Sequence, residues 1–223
     1  MKVHVLIAVV FLMVCVSCKL ESSSAIPNSN ANPSPSVESN TTSTPEQVST
    51  CSLAKAAAPV TEGLKLGMTS DEILAILPGS KNDAEVKSAL AKPASPLGVS
   101  DFVVHADKLQ PTEKFANINH FTFSLLDGRV STINIGYNGP AYASVDQFVS
   151  KFVEATSLPP VDQWQGYVGM DNLKMLTCKD FEVRVFAGGK GGNLNYVLLT
   201  DLDAQKKLKD RRAKAKAQAS PTP

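Results

Sequence analysis

Histidine and aromatic side chains are scarce in this chain. Aromatic residues make up 6% of it, with Trp164 the single tryptophan, and of its three histidines His4 stands just before an N-terminal apolar run. Only His105 and His120 are left for chemistry, and neither sits in a metal spacing such as His-Glu-x-x-His. The folded part also lacks a Gly-x-Ser-x-Gly elbow, a redox Cys-x-x-Cys and paired carboxylates at a recognisable spacing. No motif therefore supports a catalytic, metal or cofactor site. Gly188-Gly189-Lys190-Gly191-Gly192 is not a phosphate loop, because its lysine is followed by glycine and then by a strand pattern instead of Ser/Thr and a helix. It reads as a hairpin turn.

Long apolar runs are missing everywhere but at the start. Lys2 is followed by twelve apolar residues from Val5 to Val16, the length of a secretory signal core and too short to span a bilayer. The run ends at Cys15-Val16-Ser17-Cys18. That end resembles the bacterial lipobox, in which a small residue precedes a cysteine that is diacylated before cleavage. Cys15 stands where the pattern carries an aliphatic residue. The resemblance implies that residues 1–17 leave as a signal peptide and that Cys18 becomes a lipid-bearing N-terminus. The protein is then held at a membrane of the cell envelope, outside the cytoplasm. An ordinary signal cut after Ala25, giving a secreted soluble protein, is the alternative.

Cysteine is sparse too. With Cys15 removed and Cys18 lipidated, Cys51 and Cys178 are the only thiols of the folded part. In an oxidising compartment they suggest one disulfide, and two separate buried thiols are the other reading.

Residues 18–50 are dominated from Glu21 onward by Ser, Thr, Asn and Pro, too polar to offset chain entropy by burial. They read as a tether with a reach of about 30 Å. Residues 51–203 carry apolar periodicity and form one domain. The tail, 204–223, changes character: Gln205 to Ala219 holds seven basic side chains against Asp210 alone, a surplus of six in a chain whose net charge is only +1. Rich in Ala, Lys, Arg and Gln, it is predicted to continue the domain outward as a basic helix. Such an end is either simply solvated or makes weak contact with an anionic surface such as lipid. Nucleic acid is not an expected partner outside the cytoplasm.

Within the domain, Thr69-Ser70-Asp71-Glu72 has the form of a capping box opening a short helix that stops before Pro78-Gly79. A second helix is predicted from Asp83 to Ala91. Asn117 to Tyr137 reads as a hairpin around Asp127-Gly128. Side-chain alternation favours a three-residue loop, Leu126 to Gly128, pairing Phe123 with Ser131 and Phe121 with Ile133. Ser144 and Gln147 form a second capping box before Val145, Phe148, Val149, Phe152 and Val153, the stripe of an amphipathic helix. Three antiparallel strands follow, at Leu173–Cys178, Phe181–Ala187 and Leu194–Thr200. The predicted fold class is α+β, an antiparallel sheet with helices on one face, with helix-then-hairpin occurring twice.

The segment Gly63 to Gly79, with its Gly67-Met68-Thr69-x-x-Glu72-aliphatic pattern, resembles the helix opening of small outer-membrane assembly lipoproteins of the SmpA/OmlA type and of β-lactamase-inhibitor-like domains. The resemblance implies a short helical segment against an antiparallel sheet, and action by binding other proteins. Tyr137, Tyr142, Trp164 and Tyr167 lie in loop-like segments with Gly, Asn or Pro and are candidate partner contacts. Minor-core packing is the competing reading for them. Two functions follow: a non-catalytic envelope lipoprotein that binds or scaffolds another protein, or a small enzyme or small-molecule binder whose site gathers residues distant in sequence. Intact-mass measurement of the mature protein checks the covalent expectations. Acyl mass on a chain starting at Cys18 is expected, and an unmodified chain starting at Ile26 would refute the lipid anchor.

Overall fold

The hairpin at Asp127-Gly128 organises the sheet. In a computed structural model that describes residues 51–110 and 113–219, β2 (Ile118–Leu126) and β3 (Arg129–Tyr137) are joined by a two-residue turn, with Leu126 opposite Arg129. Asp127 and Gly128 both have positive φ, 53° and 74°, as the tight hairpin turn requires. The predicted three-residue loop is thus corrected. The apolar faces still agree, because the register shifts between Ser124 and Leu125 and leaves Ser131 as an extra residue on β3, its hydroxyl donating to the Ser124 carbonyl at 3.1 Å. Beyond this bulge Phe123 pairs with Ile133 and Phe121 with Ile135, all fully buried. The residue expected in the turn is absorbed in the strand, where a bulge also increases twist.

Five more strands complete one antiparallel sheet: β1 (Val99–His105), β4 (Gln165–Tyr167), β5 (Met170–Thr177), β6 (Phe181–Phe186) and β7 (Asn195–Asp201). The order is β1-β2-β3-β7-β6-β5-β4. Two meanders, β1 to β3 and β4 to β7, therefore meet along β3 and β7, where Thr132 to Tyr137 pairs with Thr200 to Asn195. The two halves expected from the sequence are fused into a single sheet.

One face of that sheet carries the core. The cross-strand row Phe102, Phe123, Ile133, Leu199, Val183 and Leu176 runs beside the row Val104, Phe121, Ile135, Val197 and Val185, and every member is buried. Burying each such side chain contributes about 1.5–3 kcal/mol. Against them pack α1 (Ser70–Ile76), α2 (Ala84–Ala91) and α3 (Val145–Thr156), through Ile73, Leu74, Val86, Val145, Phe148, Val149 and Phe152. The capping box of α1 is formed, with Glu72 N donating to Thr69 Oγ1 and Thr69 N to Glu72 Oε2. In α3 only half of the expected box forms. Ser144 accepts from Gln147 N, but the Gln147 side chain accepts from Ala143 N rather than from Ser144.

The last helix, α4 (Leu202–Ala219), departs from the others, since its first turn lies beside Thr132, Glu182 and Leu198 of the opposite sheet face. Two of its cations fasten it to the central hairpin. Asp127 accepts from Arg211 through both guanidinium NH groups at 2.9 Å and from Lys207 at 2.6 Å, while Arg211 also donates to the Leu97 carbonyl at 2.7 Å. The Arg211 and Lys207 hydrogen bonds hold the Asp127 carboxyl well below the usual carboxylate range. Residues 212–218 are exposed. The signal, Cys18 and the tether lie outside the described residues.

Cys51 and Cys178 are joined as a disulfide, with Cα atoms 4.4 Å apart and 127 residues between them in sequence. Cys51 N also donates to Thr177 O at 3.1 Å. The bridge pins the start of the domain to the β5–β6 turn, on the meander remote in sequence. Replacing both cysteines by alanine is expected to cost about 2–5 kcal/mol in urea unfolding, because the unfolded chain regains the freedom of a long loop. A loss under about 0.5 kcal/mol would show that the bridge has no stabilising role.

Candidate functional site: the open face of the sheet

Strand alternation that sends one set of side chains into the core sends the other set to the opposite face, where the first turn of α4 stands beside Thr132, Glu182 and Leu198. Pairing registers align these residues into rows. His105, His120, Gly136, Tyr196, Phe186 and Leu173 form one; Val103, Thr122, Asn134, Leu198, Arg184 and Met175 form the next; Asp101, Ser124, Thr132, Thr200, Glu182 and Thr177 form the third. Most are half-buried, so the face is broad and shallow.

Its first row is apolar and aromatic. Phe186 and Tyr196 stack with ring centres 5.0 Å apart and planes 11° from parallel. Beside them Gly136 leaves room for the His120 ring, since a Cβ at Gly136 would collide with the imidazole. Burial, reinforced by the neighbouring His105, pushes His120 below the usual histidine range. His105, its cross-strand partner, lies 4.0 Å from Glu85 of α2.

The far row is polar and largely satisfied. Glu182 is only 3% exposed and accepts from Arg184 Nε at 2.6 Å, with the Thr177 hydroxyl at 3.4 Å. Between these rows the Asn134 side-chain oxygen is buried and, among the described residues, has no hydrogen-bond partner. An unpaired buried acceptor costs about 1–3 kcal/mol, and with the oxygen closed to the surface a donor reaches it only if the side chain turns outward.

This arrangement suits contact more than bond-making. His105 and His120 come together, as sequence distance did not reveal, but on a shallow face and not in a deep pocket with carboxylates. Among the described residues no group of three or more His, Cys, Asp or Glu is placed to hold a metal ion.

The aromatic candidates separate into three environments. Trp164 is corrected to a core residue: it is 4% exposed, meets Phe152 edge to face and donates from its indole nitrogen to Pro159 O at 3.0 Å. Tyr167 is exposed at the β4–β5 hairpin, next to Val168 and Met170, which are exposed as well. Tyr137 and Tyr142 line a groove on the helix side of the sheet. Sequence reasoning missed the open face itself. Its signal was the second phase of alternation in β2, β3, β6 and β7, which becomes a surface only once the strand order is known.

No protein-family model, no curated protein and no solved structure matches this chain. The pH response of the face is a direct check on its geometry. Because the folded His120 pKa lies below its unfolded value of about 6.5, the unfolded chain binds more protons as pH falls below that value. Stability from His120 is complete above pH 6.5 and is lost as pH drops through the folded pKa. The wild-type protein is expected to lose more stability between about pH 7 and pH 5 than His120→Gln does, and parallel losses would place His120 in solvent.

Proposed function

We propose that this chain is a non-catalytic, lipid-tethered module of the cell envelope that binds another protein through the open sheet face. The observation that carries the proposal is the half-buried Phe186–Tyr196 stack, with Leu198 in the neighbouring row, on the face of the sheet away from the core. Aromatic anchors and Arg are favoured where proteins meet, and Arg184 stands in the same row as Asn134. A fitting partner brings apolar or aromatic side chains to the stack and to Leu198.

The apolar run Val5–Val16 with Cys18, the polar residues 18–50 and the Cys51–Cys178 bridge all support a place outside the cytoplasm. The likeness of Gly63–Gly79 to envelope-assembly lipoproteins points the same way. A lipid at Cys18 with a reach of about 30 Å through the tether would hold the domain clear of head groups and free to turn its open face to a partner.

A photo-crosslinking residue placed at Leu198 or Thr122 tests this in envelope preparations, with exposed Lys87 of α2 as the control position. Discrete protein adducts from the face positions and none from Lys87 are expected. Leu198→Arg should weaken partner binding by at least about tenfold without changing the melting temperature. Absence of adducts at both face positions, or equal adducts at Lys87, would defeat the proposal.

A further inference from the structure

The groove holding Tyr137 and Tyr142 has a chemistry of its own. It lies between α3, the end of β3 and a turn at Thr61–Leu64, and encloses about 370 Å³, within the range of small-ligand sites. Thr61 and Leu64 exchange both backbone hydrogen bonds, at 3.0 and 2.9 Å, leaving Glu62 and Gly63 at φ of 55° and 85°. Such a turn favours Asn, Asp or Gly at its first central position, so a glutamate there is held in an unfavourable left-handed conformation. Lys114 fixes it in place by donating from Nζ to the Glu62 carbonyl at 2.7 Å, which leaves the carboxylate without a protein donor among the described residues.

The groove is bipolar. Glu62, with Lys114 beside it, acts on Tyr137, and Lys151 of α3, whose Nζ also donates to the exposed Glu154 carboxylate at 2.8 Å, acts on Tyr142. Burial raises both phenols and the Glu62 carboxyl above their usual ranges, with Glu62 adding to the effect at Tyr137, Lys151 opposing it at Tyr142 and Lys114 opposing it at Glu62. Between the poles, Tyr142 stacks on Phe148 at 4.6 Å and Tyr137 meets the same ring edge to face at 5.8 Å. Neither phenol hydroxyl hydrogen-bonds a protein group among the described residues. The Thr61 hydroxyl, in a residue 8% exposed, is likewise buried without a partner.

We propose that this groove binds a small zwitterion, an amino acid or a dipeptide, with its ammonium on Glu62, its carboxylate on Lys151 and its apolar part against Tyr137, Tyr142 and Phe148. A lone anion would meet Glu62 and Glu113, whereas a ligand carrying both charges sets its ammonium on Glu62 while its carboxylate replaces Glu154 on Lys151, an exposed ion pair that solvent screening keeps weak. The aromatic wall also favours an ammonium group. The site is separate from the open face and does not depend on it.

Isothermal titration of the full-length mature protein with the dipeptide Ala-Phe, its N-acetyl form and its C-terminal amide tests the assignment. Ala-Phe is expected to bind, and each blocked form to bind at least about tenfold more weakly. Glu62→Asn suits the left-handed turn and is expected to keep the melting temperature while losing at least about tenfold in affinity and no longer distinguishing the acetylated peptide. Lys151→Met is expected to lose discrimination against the amide, and Leu198→Arg, on the open face, to leave peptide affinity unchanged. No binding of Ala-Phe at about 10 mM, equal affinity for the three peptides, or wild-type affinity in both Glu62→Asn and Lys151→Met would overturn the proposal.

Discussion

The pairing of β3 with β7 is the interaction on which the rest of the structure depends. It joins residues 132–137 to residues 195–200, closing the 57 intervening residues 138–194, and converts two meanders into one seven-stranded sheet. Each meander alone would present an unpaired edge at β3 or β7 and half of a core. Joined, their inward side chains form continuous rows that cross the seam at Ile133–Leu199 and Ile135–Val197, and α1 to α3 find one apolar surface wide enough to cover. The entropy of closing so long a loop is offset because every residue of the seam adds both ladder hydrogen bonds and burial.

Two further links hold the halves together. The Cys51–Cys178 bridge fastens the beginning of the domain to the β5–β6 turn. At the other end of the chain, Arg211 and Lys207 of α4 close on Asp127 at the tip of the β2–β3 hairpin, and Arg211 reaches the Leu97 carbonyl ahead of β1. A helix that emerges from the second meander is thus clasped to the first. Part of the basic charge that marks the tail in sequence is therefore committed to an intramolecular contact, and that commitment narrows what the tail offers to an anionic surface.

The same sheet creates both candidate sites. With the core on one side, its other side carries the Phe186–Tyr196 stack beside Leu198, which suits a macromolecular partner. On the core side, the ends of β2 and β3 and the flank of α3 enclose the groove that brings Glu62, Tyr137, Tyr142 and Lys151 together. The first is broad and shallow and the second small and bipolar, so they call for ligands of different size. Under the proposed function, a tethered envelope protein carrying both takes up a small molecule without surrendering its partner surface.

Local chemistry by itself determined the α+β class, the two N-terminal helices with the Thr69 cap of the first, the stripe of α3, the last three strands and the choice of Cys51 and Cys178 as partners. Those features depend on residues a few positions apart, or on there being only two thiols in residues 51–203. The sequence also required Phe121, Phe123, Ile133 and Ile135 to share a face, but it could not say whether the odd residue sat in the turn or in the strand. The fold placed it at Ser131. Tertiary structure alone decided the β3–β7 seam, the edge strands β1 and β4, the burial of Trp164, the meeting of His105 with His120 and the capture of Arg211 by Asp127. It also made the two sites, since neither Glu62 and Lys151 nor Asn134 and Leu198 carry any mark of one another along the chain. They become neighbours only when long-range strand pairing sets which side chains share a face, and pairing energy of that kind has no local signature.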